Sequence, residues 1–432
     1  MAARCARPAR RAVATLGAVI ALSAWVGHAA ASDCARTSVG LVPLTDVAAG
    51  TYQGFQGGLY PGGANQRPAA HQAAGLAIAN ALVPLDTLGN PDPANGRIVL
   101  ISIGMSNCTM EFSAFVNKVK AYPGRHPDLL VIDCALGGQS ANVIRSPSAA
   151  YWDTVATRLR GHGSSPAQVQ SCWIKEANSG PRGGFPAATD TLLWNLGAVV
   201  RILHQKLPNL RLAYLTSRIY AGYATTTLNP EPYAYESGFA VKWLIEAQIN
   251  GVDSLNFDPG RGTVRAPWLS WGPYLWADGL APRSDGMTWA CDAFNSDGTH
   301  PSPIGRGIVA DSLLRFFEHD ATTQPWFLAG PLAVPAPPAS GVSLAVAPNP
   351  ANSFVRLSFA ASAGVRWRLD VLDVAGRVVR VLDRGIGRGG TERRSWDARD
   401  EAGTRVVPGL YWLRVTSAGE VSTWRVAILG AP

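Results

Sequence analysis

The 432-residue sequence has few charged side chains, which make up 16% of it, and only four methionines. Low charge together with 45 glycines and 31 prolines favours a compact, loop-rich protein over a disordered one. There is no CxxC motif and no cysteine–histidine spacing typical of zinc, so neither a metal nor another cofactor is expected. No basic run contains interleaved aromatic residues, so nucleic acid is not predicted as a partner.

The first 31 residues have the parts of a secretory signal peptide. Four arginines precede the apolar stretch AVATLGAVIALSAWV, and alanines at 29–31 provide small residues for cleavage before Ser32. The alternative is a membrane anchor, but the apolar run is short for a span and leads into small residues. We therefore expect a bacterial protein that is secreted or on the cell surface, with no membrane span after cleavage.

Five cysteines, an odd number, remain after removal of the predicted signal peptide. At most two disulfides can form within one chain, and the sequence does not give their pairing. A bridge between Cys108 and Cys134 is one possibility, and burial of both as free thiols is another. The five cysteines are Cys34, Cys108, Cys134, Cys172 and Cys291.

Short apolar runs alternate with helical patterns in the first three quarters of the chain. Runs at 98–103, 128–135, 169–175 and 210–217 read as strands, with amphipathic segments between several of them. Continuous apolar strands separated by helices indicate a parallel sheet that is covered on both faces. We predict an α/β domain over 32–327, a flavodoxin-like three-layer α/β/α sheet whose first part, 32–96, is a loop-rich extension.

The last quarter of the chain has a different composition and a different pattern of apolar residues. Residues 328–342 are rich in proline and alanine and are predicted to be a linker. Over 343–432, apolar and polar residues alternate in short segments that are separated by glycine turns. That period of two predicts a small antiparallel β-sandwich.

Polar residues follow the predicted strands at their carboxyl ends, where ligands bind in parallel α/β sheets. Ser106 comes just after the first strand, and Asp297 and His300 share one short loop before a helix that should begin near Ser302. A serine becomes a nucleophile when a base takes its proton, and an imidazole titrates near neutral pH. Asp297 can accept a hydrogen bond from the far ring nitrogen of His300 and fix its tautomer. The three residues are predicted to form a catalytic triad; the alternative is that they are only turn and capping residues.

An acyl-transfer intermediate also needs hydrogen-bond donors directed at its oxyanion. The backbone N–H groups of Ser106 and Gly138 and the side-chain amide of Asn178 could provide them. Each of these glycine and asparagine positions could also be an ordinary turn residue.

This order of residues resembles the SGNH (GDSL-like) hydrolase superfamily. The resemblance covers roughly 97–317 and is to the sialate O-acetylesterase and acetylxylan-esterase-like branch. Four stretches are similar to sequence blocks of that branch: GMSNC, GGQSA, WIKEANSG and DGTHPSPIG. The resemblance implies Ser106 as nucleophile, completed by Asp297 and His300. It also implies that the oxyanion hole includes Gly138 and Asn178.

The third block departs from the usual pattern of that superfamily. Lys175 and Glu176 replace the residues that normally stand there, so Glu176 competes with Asn178 as the oxyanion residue. In the second block, Gly137 could likewise take the place of Gly138.

The C-terminal segment 343–429 resembles the Ig-like module related to flagellar hook-capping proteins and to type A sorting domains of type IX secretion. The Asn-Pro start, the Asp-x-x-Gly-Arg turn and the Gly-x-Tyr strand carry this resemblance. It implies export, with contacts to secretion machinery or attachment at the cell surface. The alternative is a passive spacer domain.

Two further groups of residues are candidates for substrate contact, although no substrate-binding residue is assigned. Four tryptophans could line a sugar site or could be packing residues: Trp268, Trp271, Trp276 and Trp289. The stretch 217–243 is too long for a simple loop; it could form a substrate wall that includes Arg218, Tyr220 and Glu236, or a packed excursion.

The predicted function is an exported serine esterase that acts through an acyl-enzyme on Ser106. An O-acetyl group on a carbohydrate is one substrate class, and a small ester is another. Two alternatives remain open: a non-catalytic surface or carbohydrate-binding protein on an esterase-like scaffold, and an O-acyltransferase that uses the same triad.

Overall fold

The computed structural model describes residues 32–329 and 344–429, except 375 and 419. The predicted signal peptide and most of the predicted linker lie outside these residues. The chain divides into two compact units, one up to Gly330 and one from Pro331 onward. Each unit is described by itself.

The first unit begins with a loop-rich extension and continues as alternating strands and helices. In chain order it contains α1 (Leu44–Val47), β1 (Thr51–Tyr52), β2 (Phe55–Gln56), α2 (Ala69–Asn80), β3 (Ile98–Gly104), α3 (Ser106–Ala121), β4 (Leu129–Ile132), α4 (Ala141–Ile144), α5 (Tyr151–Gly161), β5 (Val169–Lys175), α6 (Ala187–Lys206), β6 (Leu212–Leu215), α7 (Tyr233–Ile249), β7 (Trp268–Trp271), α8 (Pro303–His319) and α9 (Gln324–Phe327).

The five strands from β3 to β7 form one parallel sheet in the spatial order β4-β3-β5-β6-β7. Numbered from β3, this is the flavodoxin-like order 2-1-3-4-5. The chain turns in opposite directions on leaving β3 and β5, so right-handed crossovers place α3 and α6 on opposite faces of the sheet. All seven residues of β3 and all seven of β5 are buried, as strands covered on both faces must be. The predicted three-layer α/β fold is confirmed.

Two elements, α7 and β7, lie in stretches that the sequence analysis interpreted differently. The stretch 217–243 was expected to be a wall or an excursion, but only its first part is irregular and α7 begins at Tyr233. The segment read as tryptophan-rich contains β7, the edge strand of the sheet. All four tryptophans considered as ligand contacts are buried, so they are packing residues.

The three side chains proposed for a substrate wall are also buried. The Tyr220 hydroxyl donates to the carbonyl of Arg36 at 2.6 Å, and Tyr52 donates to a Glu236 oxygen at 2.9 Å. Arg218 is 2% exposed. This part of the chain is therefore a packed excursion.

A disulfide between Cys34 and Cys291 ties the N-terminal extension to the segment that precedes Asp297. The other three predicted candidates, Cys108, Cys134 and Cys172, are free and buried. Burial raises the pKa of Cys134 to about 12 and that of Cys108 well above its usual range. These thiols are therefore apolar packing groups rather than nucleophiles.

The second unit contains β8 (Leu344–Ala347), β9 (Val355–Ala361), β10 (Arg366–Leu372), β11 (Val378–Ile386), β12 (Gly390–Trp396), β13 (Gly409–Ser417) and β14 (Glu420–Ile428). They form two antiparallel sheets with the orders β11-β10-β13-β14 and β12-β9-β8. Alternate residues of β9 and β13 point into the core of this unit. The predicted β-sandwich is confirmed, and β8 and β12 are strands that the sequence pattern did not reveal.

Candidate active site

The candidate site lies at the carboxyl edge of the parallel sheet, where the strand order reverses between β3 and β5. Ser106 follows β3, Gly137 and Gly138 follow β4, and Asn178 follows β5. In doubly wound sheets this switch point forms the crevice in which ligands bind. The fold therefore brings the segments that the sequence singled out to one edge.

Ser106 is the first residue of α3 and is half-buried. Its Oγ lies 2.7 Å from Nε2 of His300, although 194 positions separate the two residues in the chain. The first N–H groups of a helix have no partner within it, and the helix dipole is positive at that end. A negative charge that develops beside Ser106 would therefore meet a favourable field.

Asp297 and His300 lie in a short hairpin that leads into α8. Phe294 bridges to Pro301, and the N–H of Asn295 donates to the carbonyl of His300 at 2.8 Å. The following helix begins at the predicted place, because the Ser302 hydroxyl accepts from the N–H groups of Ile304 and Gly305. The hairpin thus has a fixed base at one end of a 17-residue helix.

Three hydrogen bonds fix the Asp297 carboxylate. One oxygen accepts from Nδ1 of His300 at 2.5 Å, and the other accepts from the N–H groups of Thr299 and His300, both at 2.9 Å. Burial raises the pKa of Asp297. The hydrogen bonds from His300 and Thr299 lower it by more than burial raises it, so the pKa of this carboxyl lies below its usual value. The carboxylate is therefore ionised, Nδ1 carries a proton, and Nε2 is free to accept the proton of Ser106.

Gly298 lies at the tip of the hairpin, where its backbone conformation and a close neighbour leave no room for a residue with a side chain. Its φ is +62°, and a Cβ there would come within 2.0 Å of the carbonyl oxygen of Tyr223. Beside it, the hydroxyls of Thr226 and Thr299 are 2.9 Å apart. The irregular segment after β6 therefore packs directly against the hairpin.

Asn107 contributes to the candidate site, although the sequence analysis gave it no role. Its buried side-chain amide donates to the carbonyl of Thr299 at 2.9 Å, which joins α3 to the hairpin beside His300. The only signal in the sequence is its position directly after Ser106. The contact holds the two parts of the predicted triad in register.

Replacing Asn107 with alanine should lower the free energy of unfolding by about 1–2 kcal/mol, because a buried carbonyl loses its donor. Urea unfolding followed by tryptophan fluorescence would measure this loss. Asn117→Ala is the matched control, since Asn117 is exposed on the same helix. Equal stability of the two variants would contradict a holding role for Asn107.

The two glycine candidates for the oxyanion hole lie in one tight turn. The N–H of Gln139 donates to the carbonyl of Leu136 at 3.2 Å, and Gly138 has a φ of +76°. A Cβ built on Gly137 would lie 3.8 Å from Cβ of Ser106, whereas one on Gly138 would meet nothing within 4 Å. Gly137 therefore borders the nucleophile, and the choice between the two N–H groups as donor stays a prediction.

Asn178 is 8% exposed and is fixed in orientation by Asn195, which donates to its side-chain oxygen at 2.8 Å. That bond turns the amide NH₂ of Asn178 away from Asn195. Nearby, the hydroxyls of Ser140 and Ser179 are 3.0 Å apart, which links the segments after β4 and β5. No hydrogen bond joins Asn178 to Ser106 or His300 in the part of the chain that the structure describes, so its oxyanion role stays a prediction.

Glu176, the competitor of Asn178, is 1% exposed, and neither of its carboxyl oxygens has a hydrogen-bond partner. Burial raises its pKa well above the usual range. A carboxyl group this deep below the surface is poorly placed to touch a substrate. Among the described residues, no group of three or more histidine, cysteine, aspartate or glutamate side chains could hold a metal ion.

Comparison with known proteins gives only distant likenesses. No protein-family model matches the chain, and no curated protein matches it. Among solved structures, it is 12% identical to the periplasmic domain of the lipopolysaccharide acetyltransferase of Salmonella ser. Paratyphi A, over 57% of this chain and 95% of that one, with a TM-score of 0.29. It is 12% identical to the YxiM protein of Bacillus subtilis, over 53% of this chain and 58% of that one, also with a TM-score of 0.29.

A third likeness covers less of the chain. PorZ, a surface component of the type-IX secretion system of Porphyromonas gingivalis, is 25% identical over 21% of this chain, with a TM-score of 0.15. The match spans only 11% of the length of PorZ. TM-scores of this size carry no argument about function.

Within the described residues, no helix is both long enough and apolar enough to cross a membrane.

Proposed function

We propose that this chain is an exported serine esterase that cleaves a carboxylic ester through an acyl-enzyme on Ser106. One observation carries the proposal: Ser106 Oγ, the His300 ring and the Asp297 carboxylate form a continuous chain of hydrogen bonds of 2.7 and 2.5 Å. That is the geometry in which a serine hydroxyl can be deprotonated as it attacks.

In the first step, Ser106 Oγ attacks the ester carbonyl while its proton passes to Nε2 of His300. The imidazolium that forms is stabilised by the ionised Asp297 on its other nitrogen. The carbonyl oxygen becomes an oxyanion. We assign its donors to the backbone N–H of Ser106, the N–H of Gly138 or the neighbouring Gly137, and the side-chain amide of Asn178.

The tetrahedral intermediate then collapses, and the groups act in reverse. Nε2 of His300 gives its proton to the leaving alcohol, and the bond between the carbonyl carbon and that alcohol breaks. A water molecule then attacks the acyl carbon while it gives a proton to Nε2 of His300. The bond between that carbon and Ser106 Oγ breaks, and His300 returns the proton to Oγ as the acid is released. No cofactor is needed, since protons and the acyl group are the only things transferred.

Export is supported by the predicted signal peptide and by the disulfide between Cys34 and Cys291, since disulfides persist in oxidising compartments. We propose that the C-terminal β-sandwich attaches or sorts the exported protein. O-acetyl groups on carbohydrates are the substrate class to test first, together with short-chain aryl esters.

Fluorophosphonate labelling of the full chain tests the proposal. We expect one covalent adduct, on Ser106, and none on the Ser106→Ala variant. Ser113→Ala is the matched control and should be labelled like the wild type, because Ser113 is an exposed serine on the same helix. A folded wild-type protein that stays unlabelled would instead favour a non-catalytic binding protein.

A panel of O-acetylated glycans, with and without an added sugar acceptor, then separates hydrolysis from acyl transfer. Free acetate without an acceptor is expected for an esterase. Acetylated acceptor as the main product would indicate the O-acyltransferase instead.

A further inference from the structure

The two parts of the chain differ in charge. Over 343–432 there are thirteen arginines, no lysine and eight aspartates or glutamates, which leaves five net positive charges. Over 32–330 there are 21 lysines and arginines and 22 aspartates and glutamates. The excess of positive charge outside the predicted signal peptide therefore belongs to the C-terminal part, and such an imbalance indicates an anionic partner.

Five of these arginines lie on the outer face of the four-stranded sheet. Along β10, Arg366 and Arg368 are exposed and alternate with residues that belong to the core of the β-sandwich: Trp367, Leu369 and Val371. Arg384 of β11 lies directly opposite Arg368 and is exposed as well. Residues opposite each other on neighbouring strands share a face, so these three arginines point away from the core.

The other two arginines extend the set across the remaining strands. Arg414 of β13 lies opposite Asp370, and Arg425 of β14 lies opposite Trp412. Together with Arg384 and Arg368 they form a row that takes one arginine from each strand and runs diagonally across the sheet. With strands about 4.8 Å apart and a rise of about 3.4 Å per residue, this row is about 20 Å long. We call the row and the adjacent Arg366 the arginine face.

Among the described outward positions of this sheet, Asp370 is the one acidic residue. It is buried between two arginines: Nε of Arg368 donates to one carboxylate oxygen at 2.7 Å, and a terminal nitrogen of Arg414 donates to the other at 3.0 Å. The other three arginines of the face have no ion-pair partner in the part of the chain that the structure describes: Arg366, Arg384 and Arg425. Five arginines and one carboxylate leave this face with an excess of four positive charges.

This arrangement works against folding unless an anion binds. Like charges directly opposite each other on neighbouring strands destabilise a sheet, and Arg368 and Arg384 are such a pair. A shallow groove of about 670 Å³ is bordered by these two residues and Arg366. Its other lining residues belong to β10, β11 and β13 or lie next to them, and none comes from the second sheet, so the groove is on the outer face. Guanidinium groups bind carboxylate oxygens through two parallel hydrogen bonds, so this groove suits an anionic group.

The shape of the arginine face favours a linear polysaccharide over a membrane or a nucleic acid. A surface that binds a membrane inserts apolar side chains, whereas the centre of this face is the Asp370 carboxylate with its two arginines. Proteins that bind single-stranded nucleic acid stack successive bases on aromatic rings, and Trp412 is the one aromatic residue at the described outward positions of this sheet. Its exposed ring and the hydroxyls of Thr416 and Thr423 can contact sugar rings beside the charged groups.

We propose that the arginine face binds a linear polysaccharide with repeating carboxylate groups and so holds the exported protein on a glycan. The carboxylates pair with the three arginines that have no acidic partner, and the length of the row lets several of them bind at once. This specifies the attachment role proposed for the β-sandwich and rests on export of the chain. It does not depend on the chemistry of Ser106.

The test measures binding of the full chain to immobilised polygalacturonate by surface plasmon resonance, with neutral dextran as the blank. Ser106→Ala is present throughout, so that turnover cannot alter the polymer. The face variant combines Arg366→Gln, Arg384→Gln and Arg425→Gln and leaves the bonded Asp370 cluster intact. Its Kd should rise at least about tenfold, since three ion pairs are lost. Binding of the parent chain should weaken as the salt concentration rises, because salt screens exposed charges.

The control variant combines Arg356→Gln, Arg393→Gln and Arg405→Gln. It removes the same number of positive charges from exposed positions of the β-sandwich outside the arginine face, and its Kd should stay within about twofold of the parent chain. Absence of binding at low salt, or equal losses in the two variants, would overturn the proposal. If the face variant does not fold, Arg384→Gln alone decides. It relieves the repulsion with Arg368, so it should bind two- to threefold more weakly, as roughly expected for one exposed ion pair, without a lower melting temperature; unchanged binding overturns the proposal.

Two further probes identify the wrong partner. If the face variant loses binding to vesicles of phosphatidylglycerol and phosphatidylcholine but keeps binding to polygalacturonate, the partner is a membrane and the proposal is overturned. Binding to single-stranded oligothymidine as tight as binding to polygalacturonate would overturn it as well, because the face would then recognise charge alone.

Binding is measured without turnover, so this proposal and the esterase function can fail separately. A protein that is not labelled at Ser106 but binds polygalacturonate through the arginine face would lose the esterase function and keep the attachment surface. Labelling of Ser106 without polygalacturonate binding would do the reverse.

Discussion

Ser106→Ala and His300→Ala should each reduce hydrolysis of a short-chain aryl ester by at least about 10⁴-fold, close to the background rate. Alanine at 106 has no atom to carry the acyl group, and alanine at 300 leaves the Ser106 proton without an acceptor 2.7 Å away. The two losses should be of similar size, and the double variant should be no worse than either. Residues that act as one unit give such non-additive effects.

The measurement is initial-rate kinetics at neutral pH, with circular dichroism and thermal unfolding to verify the fold. Ser113→Ala is again the matched serine control and should keep the wild-type rate. His71→Ala is unsuitable as a histidine control, because His71 is buried and stacks on Trp268; His319→Ala, exposed at the end of α8, is suitable. Turnover within tenfold of the wild type in Ser106→Ala would exclude the acyl-enzyme mechanism.

The position of the site could be predicted because the strands of a parallel sheet are buried on both faces. Every residue of β3 and β5 is covered, so β3 leaves a mostly apolar run, IVLISI, and β5 the apolar residues CWI just before the polar loop. Once the strand ends are known, the switch point brings Ser106 and the segment after β5 to one crevice. The hairpin with Asp297 and His300 could be found because a capped helix follows it.

α7 was missed because it is buried on every side. Twelve of its 17 residues are buried and they occur on every side, so no polar stripe marks the helical period. β7 was missed because it has only four residues, two of them tryptophans, and two more tryptophans, Trp276 and Trp289, follow it in the chain. A buried helix and a short edge strand leave little periodic signal for sequence analysis.

The contacts that hold the site together were beyond sequence reasoning because their partners are far apart in the chain. Asn107 reaches Thr299 across 192 positions, and Lys175 pairs with Glu111 across 64. A buried arginine such as Arg218 looks like any surface arginine in the sequence. Residue types and strand ends predict where chemistry can occur, whereas the pairing of buried charges depends on packing that only the fold supplies.

Asp297→Asn should reduce kcat by about 10³- to 10⁴-fold at neutral pH, nearly as much as the loss of His300. Asparagine keeps the size of the side chain, and its oxygen can still accept from a backbone N–H. Its NH₂ group would then face Nδ1 of His300, which favours the tautomer that carries its proton on Nε2. In that tautomer Nε2 cannot accept the proton of Ser106. No backbone carbonyl bonds to Nδ1 in the described part of the chain, so nothing else would hold the ring in the productive state.

Steady-state kinetics on the same aryl ester should show the loss in kcat with KM nearly unchanged, because the carboxylate acts on the transition state and does not touch the substrate. The matched control is Asp292→Asn: Asp292 is an exposed aspartate five residues earlier in the same segment and should keep wild-type kinetics. A carboxylate that only stabilised the hairpin would lower the melting temperature of Asp297→Asn and leave kcat of the folded fraction within about tenfold of the wild type. That result would remove Asp297 from the catalytic machinery and leave a Ser106–His300 pair as the remaining hypothesis.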